Sequence, residues 1–286
     1  MKEYEGISLT ESDFKTINKI EYWVEEPLEF KDFYAEFEPY NLFYSEDAKI
    51  LDLIVSGKDQ EIPLELLNLD ALRNLIIIET PIKTLPEELS LLTSLKRLHI
   101  LMCKGFSELP ETIGDLKSLV ELSIEECGLR TIPDTIKDLP NLQVLHLNGN
   151  NLIYLPESIG YLKSLEYLFL MNNQLKILPE SISNLINLKS LNLESNRISS
   201  LPNSFKNLQL ISFLNFGDNE LEDLPEEIMY LNSLEYLDLS GNNLKVLPDL
   251  KLQKTPYDQL STEAKRIYKL TEQLTQLKNR GISILL

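Results

Sequence analysis

The chain has 286 residues, with 45 acidic side chains against 27 basic ones, a formal net charge of −18 and only two cysteines. Nucleic acids and anionic membranes recruit proteins through a positive footprint, so this balance argues against both as partners. No apolar run reaches the ~18 residues of a membrane span, the start Met1-Lys2-Glu3-Tyr4-Glu5 has no secretory apolar stretch, and scarce cysteine suits a reducing compartment, so a cytoplasmic location is expected.

Residues 1–48 differ from everything that follows. They hold 11 of the 23 aromatic residues, Trp23 among them, and nine of the eighteen net negative charges. From there to about residue 250 a proline returns on a fixed period: Pro63, Pro86, Pro110, Pro133, Pro156, Pro179, Pro202, Pro225 and Pro248 are 23 residues apart, with a single gap of 24 after Pro86. Such a period means stacked units, none able to bury its apolar face alone. Three segments follow: an acidic aromatic cap over 1–48, a solenoid over 49–250 and a C-terminal capping helix with a tail over 251–286. Tyr22, Trp23, Phe30, Phe33, Phe37 and Phe43 are the material expected to cover the first open coil.

Within each unit, proline opens a short stretch of helical spacing, Leu-Pro-x-x-Ile-x-x-Leu, long enough for one or two turns, some of them 3₁₀. Seven of the nine prolines are followed directly by Glu or Asp, as in Glu157 and Glu180, where a carboxylate meets the positive end of the turn's dipoles. Next comes a period-two stretch such as Tyr167-Leu168-Phe169-Leu170-Met171, the pattern of a strand with one buried face. A column of Asn150, Asn173, Asn196, Asn219 and Asn242 then closes the turn, since an amide can donate to one backbone carbonyl and accept from another N–H. Upstream the same column reads Thr80, Cys103, Cys127, which bond less completely, so the N-terminal half is expected to be the less regular one. The extra residue beside Gly105 is expected as a small bulge. Cys103 and Cys127 would stand about 4.8 Å apart on adjacent coils, within disulfide reach, although two buried thiols are the simpler expectation.

The segment Leu165-x-x-Leu168-x-Leu170-x-x-Asn173-x-Leu175 resembles the leucine-rich repeat, and the full unit resembles the short class found in intracellular Ras-group-related and bacterial repeat proteins. That resemblance implies an α/β solenoid, a horseshoe with a parallel sheet on the concave side and short helical turns on the convex side. It also implies a protein-binding role, with a small GTPase or its regulator as a partner by analogy. Helical turns need more lateral room than strands spaced ~4.8 Å apart, which independently bends the stack towards its sheet.

Outward strand positions face the concavity, where repeat proteins bind. The first column reads Asn74, Arg97, Glu121, Val144, Tyr167, Ser190, Phe213, Tyr236, and the second Ile76, His99, Ser123, His146, Phe169, Asn192, Asn215, Asp238. The third reads Ile78, Leu101, Glu125, Asn148, Met171, Glu194, Gly217, Ser240. The candidate binding residues are Arg97, His99, Glu121, Glu125, His146, Tyr167, Phe169, Met171, Phe213, Tyr236 and Asp238. Large apolar groups on a face otherwise given to solvent are the mark of an interface. A second apolar group, Ile76, Ile78, Leu101 and Met102, lies nearer the N-terminus.

Catalysis is not expected. His99 and His146 stand two coils apart with Ser123 between them, but a flat sheet supplies neither pocket nor oxyanion loop. Glu121 and Glu125 are about 13 Å apart along one strand, too far to share an ion, so no metal is expected. No Walker-type or dinucleotide glycine motif supports a cofactor. A repeat-bearing ubiquitin ligase would need a separate catalytic domain with its own cysteine. The remaining alternative is a secreted or surface-exposed bacterial recognition protein that binds a host receptor. At the C-terminus, Ser261 reads as a helix cap, Ala264, Ile267, Leu270, Leu274 and Leu277 trace one apolar face, and Gly281 ends the helix before an apolar tail.

Overall fold

The computed structural model of the protein describes residues 2–4, 7–24, 29–30, 42–47, 49–244 and 262–286. Phe33, Phe37, Pro248 and Ser261 lie outside these residues, as do the side chains of Tyr22, Trp23, Phe30 and Ala264. Strands β1 (Lys2–Tyr4) and β2 (Ile7–Leu9) form an antiparallel pair, followed by helix α1 (Glu11–Val24). Then come β3 (Glu29–Phe30), β4 (Leu42–Glu46), β5 (Lys49–Val55), β6 (Asn74–Ile78), β7 (Arg97–Leu101) and β8 (Glu121–Glu125). They continue as β9 (Val144–His146), β10 (Tyr167–Phe169), β11 (Ser190–Asn192), β12 (Phe213–Asn215) and β13 (Tyr236–Asp238). Helix α2 (Thr262–Asn279) and β14 (Ser283–Leu285) end the chain.

Strands β3 to β14 make one open sheet in which neighbours in sequence are neighbours in space, parallel throughout except where β4 runs against β5. The register is the repeat itself: Leu168 pairs with Leu145 on one side and Leu191 on the other. Between β5 and β13, eight five-residue 3₁₀ turns, from Leu64–Asn68 to Glu226–Tyr230, each begin directly after a repeat proline. Proline sits in the cap position with an extended backbone, and its carbonyl accepts the first i→i+3 bond, as from Ile159 N to Pro156 O. The following carboxylate then reaches the next coil. Glu157 accepts from Ser181 N, Glu180 from Ser204 Oγ and Glu87 from Thr112 Oγ1, so much of the acidic row is structural.

Leucines and isoleucines of every coil merge into a single core running from Leu9 to Ile282. Leu9, Ile17, Ile20 and Phe43 close its N-terminal end. There Thr10 and Asp13 cap α1 reciprocally, and the second oxygen of the buried Asp13 carboxylate accepts from Ile50 N, fastening the helix to β5. At the other end α2 lays Leu270, Leu274 and Leu277 on the last coil. Arg280 donates to Met229 O and Leu231 O, while Arg266 and Lys269 pair with Glu222, Asp223 and Glu226. The helix closes with Gly281 at φ +84° and Ile282 N bonded to Leu277 O. The apolar tail expected after the helix forms, over Ser283–Leu285, a final parallel strand on β13. Burying the unpaired edge of β13 favours this arrangement, because an exposed row of N–H and C=O groups would otherwise remain.

Strand length changes along the stack. The N-terminal strands β6 to β8 span five residues each, whereas β9 to β13 span three. Side-chain acceptors in the later coils take the backbone donors that would prolong the ladder: Asn192 from Glu194 N, Asn215 from Gly217 N, Asp238 from Ser240 N and Asn148 from Met171 N. Ile76 and His99, in the same column upstream, do not do this, and the ladder runs on. The extra residue near Gly105 appears as a turn at Lys104–Gly105.

Candidate functional site

Each turn after a strand is locked by its column residue. The Asn150 amide donates to Ile124 O, Leu147 O and Asn148 O and accepts from Leu129 N, and the pattern repeats one coil on at Asn173. Cys103 and Cys127 are free thiols that point at the same carbonyls, Cys127 Sγ lying 3.2 Å from Glu125 O and 3.5 Å from Ile100 O. A hydrogen bond to Cys103, together with burial, pushes the Cys127 thiol upwards. Just before this column, Glu79, Met102, Glu126, Gly149, Asn172, Ser195, Asp218 and Gly241 all adopt positive φ, from 48° to 67°. The sequence signals this column at its two glycines and at Asn172 and Asp218, types that tolerate the left-handed region, and the Glu126 and Asp218 carboxylates fold over the glycines from the preceding coil.

These turns hold the outward columns at fixed spacing, and the face divides in two. Around β6 to β8 the charged candidates are occupied with one another. Glu121 accepts from Arg97 Nε at 3.2 Å and meets His99 Nε2 at 3.0 Å, while Arg97 also donates to Asn74 Oδ1, and Asn74 in turn donates to Asp52. Glu125 accepts from Ser123 Oγ at 2.7 Å and Asn148 Nδ2 at 2.9 Å. The Ser–His and two-carboxylate arrangements therefore resolve into a hydrogen-bonded surface network. Among the described residues no group of three or more His, Cys, Asp or Glu is placed to hold a metal ion, and no helix is long and apolar enough to cross a membrane.

Burial lowers the His99 pKa from its ordinary 6.5, outweighing the opposing pull of Glu121. A base held below its unfolded value contributes stability that is present above pH ~6.5 and lost as pH falls towards the folded value. The His99 ring protons are accordingly expected to titrate below 6.5 by NMR, and His99→Gln should flatten the fall in melting temperature between about pH 7 and 5.5. A titration above 6.5 would mean that the Glu121 ion pair governs this site instead.

The second half, β9 to β13, is aromatic. His146 and Phe169 stack across neighbouring strands with centroids 4.6 Å apart and planes 12° apart. Phe213 and Tyr236 stack at 4.7 Å and 1°. Tyr167 is 38% exposed, and Met171, four residues further along the same coil, is half-buried. Tyr236 donates to Asp238, whose other oxygen takes Ser240 N and Oγ, so Asp238 is a buried support rather than an open contact. Ile76, Ile78 and Leu101 stay half-buried and Met102 exposed. One exposed group went unread in the sequence: Ile153, Tyr154 and Ile177, on the segments leading into two adjacent 3₁₀ turns. Its signal is large apolar residues at repeat positions outside the strand.

Residues 101–176 match the family described as a leucine-rich repeat region and residues 186–244 that described as a leucine rich repeat. No curated protein matches the chain. Among solved structures it is similar to a leucine-rich repeat protein of Leptospira interrogans, at 32% identity and TM-score 0.64 over 68% of this chain and 50% of that one. It is also similar to the plant peptide hormone receptor RGFR1 in complex with RGF2, at 28% identity and TM-score 0.58 over 71% and 33%. The Toll–Spätzle complex of Drosophila matches at 25% and 0.61 over 69% and 27%. The chain thus spans half or less of the length of these three proteins.

Proposed function

We propose, from the premise that the chain is a leucine-rich repeat protein, that it is a protein-binding module whose partner lies on the aromatic half of the concave face. Leucine-rich repeat domains generally mediate protein–protein interaction and are generally non-enzymatic. Two of the similar structures are complexes by their own description, one of them of a peptide hormone receptor, which supports the same general role here. The observation that carries the choice of face is the pair of stacked rings, His146–Phe169 and Phe213–Tyr236, standing on outward strand positions with Tyr167 between them. Rigid aromatic surface on a fixed sheet loses little entropy when it is covered. A cytoplasmic setting is part of this proposal and is supported by two unpaired thiols. A component of a small-GTPase pathway is one partner class within it, carried by the likeness of repeat length alone.

Photoreactive phenylalanine analogues at Phe169 and Phe213, compared with Tyr154 and Tyr230 elsewhere on the surface, test the face directly in source-cell lysate. Adducts are expected from the first two positions. For the partner so identified, Phe169→Ala, Phe213→Ala and Tyr236→Ala should each weaken binding about fivefold or more, roughly 1 kcal/mol, by calorimetry. Glu157→Ala should leave affinity unchanged. Adducts from Tyr154 or Tyr230 alone would move the site to the flank and defeat the proposal.

A further inference from the structure

The two aromatic groups leave a gap between them at β11. In the first outward column Ser190 pairs in register with Tyr167 on one side and Phe213 on the other, so a small residue sits between two rings. Backbones two strands apart are separated by about 9.6 Å, and curvature towards the sheet brings outward side chains closer. Two van der Waals contacts of ~3.5–4.0 Å fill about 7–8 Å, so the gap suits one flat group held between the rings. Ser190 is only 9% exposed, yet its hydroxyl has no hydrogen-bond partner among the described residues. Its oxygen is not among the fully buried unpartnered atoms, so it stays open to a donor from outside.

Charge narrows the choice. The outward strand positions of β10 to β13 carry Glu194 and the hydrogen-bonded Asp238 and no cation, and Asp218 stands exposed in the turn after β12. Asn215 and Ser240 bond to Glu194 and Asp238, but neutral donors leave their charge in place. Lys189, the basic residue next to Ser190, is held by Glu166 at 2.6 Å. A ligand for this slot is therefore flat, cationic and a hydrogen-bond donor.

We propose that the Tyr167–Ser190–Phe213 slot receives an arginine side chain from a basic segment of a protein partner. The guanidinium plane stacks between the two rings, one N–H donates to Ser190 Oγ, and the carboxylates elsewhere on the same face favour the positive charge at longer range. Lysine has the charge without the plane, and an aromatic side chain has the plane without charge or matching donor. This rests on the concave-face reading above and adds the chemistry of the partner to it.

The test is titration of the full-length, ¹⁵N-labelled protein with the capped peptide Gly-Gly-Arg-Gly-Gly and its lysine, citrulline and trimethyl-lysine counterparts, followed by NMR. The arginine peptide is expected to shift the Ser190 amide and the Tyr167 and Phe213 ring protons. Its affinity should exceed that of the lysine and citrulline peptides at least fivefold, since citrulline keeps the plane and donors but loses the charge. Ser190→Leu, which fills the slot, should abolish these shifts. Tyr167→Ala, at an exposed position, should weaken them at least fivefold even if the leucine variant fails to fold. Equal lysine binding, tighter trimethyl-lysine binding or shifts confined to the convex turns would overturn the proposal. If so, continued cross-linking from Phe169 and Phe213 would show that only the slot is wrong, whereas its absence would remove the concave face as well.

Discussion

Leu168→Ala is expected to lower the free energy of unfolding by about 2–5 kcal/mol, the range for emptying a fully buried leucine site. Leu168 is 0% exposed and pairs with Leu145 and Leu191, so its side chain fills the core between three consecutive coils. A solenoid contacts only its nearest neighbours, and the cavity cannot be closed by a distant element. Its position near the middle of the stack adds a second expected effect, a broader urea transition in which the two halves begin to unfold separately. Urea denaturation followed by circular dichroism and tyrosine fluorescence reads both. A loss below 0.5 kcal/mol would mean that the coil register is misassigned.

Asn173→Ala should cost about 1–3 kcal/mol although it removes only a small polar group. The amide donates to Leu147 O at 2.8 Å, Leu170 O at 3.1 Å and Met171 O at 3.3 Å, and its oxygen accepts from Leu152 N at 3.0 Å. Alanine leaves these backbone groups without their partner, and the 8% exposure of Asn173 gives water little access. Asn173→Cys should lose less than alanine does, because Cys103 and Cys127 hold the equivalent place with thiols aimed at the same carbonyls. Equal losses for the cysteine and alanine variants would show that the thiol contacts contribute nothing to the turn.

The aromatic half of the candidate site was legible because the repeat assigns every residue a direction. Once Leu168 and Leu170 are buried, Tyr167, Phe169 and Met171 must face out. The charged candidates were harder. Glu121 and Glu125 face the concavity as read, but their carboxylates are taken up by side chains brought alongside from neighbouring strands, whereas Asp238 is held by Tyr236 and Ser240 of its own segment. The first outward column already sets Ser190 between Tyr167 and Phe213, but which of its neighbours bond to one another is decided only by the packed side chains.

Period, parallel register, leucine core and amide column are all readable from the residues alone, because each follows from residue type at a fixed place in a repeating unit. Only the tertiary structure decided where strands stop, since Asn192, Asn215 and Asp238 take backbone donors that periodicity assigns to the ladder. It also turned the last residues into β14, and it set the column of positive φ at residues as unlike as Met102, Glu126 and Asn172. A repeat pattern records what every coil shares. Contacts between non-equivalent side chains on adjacent coils, and the edges where stacking ends, are set by packing in three dimensions.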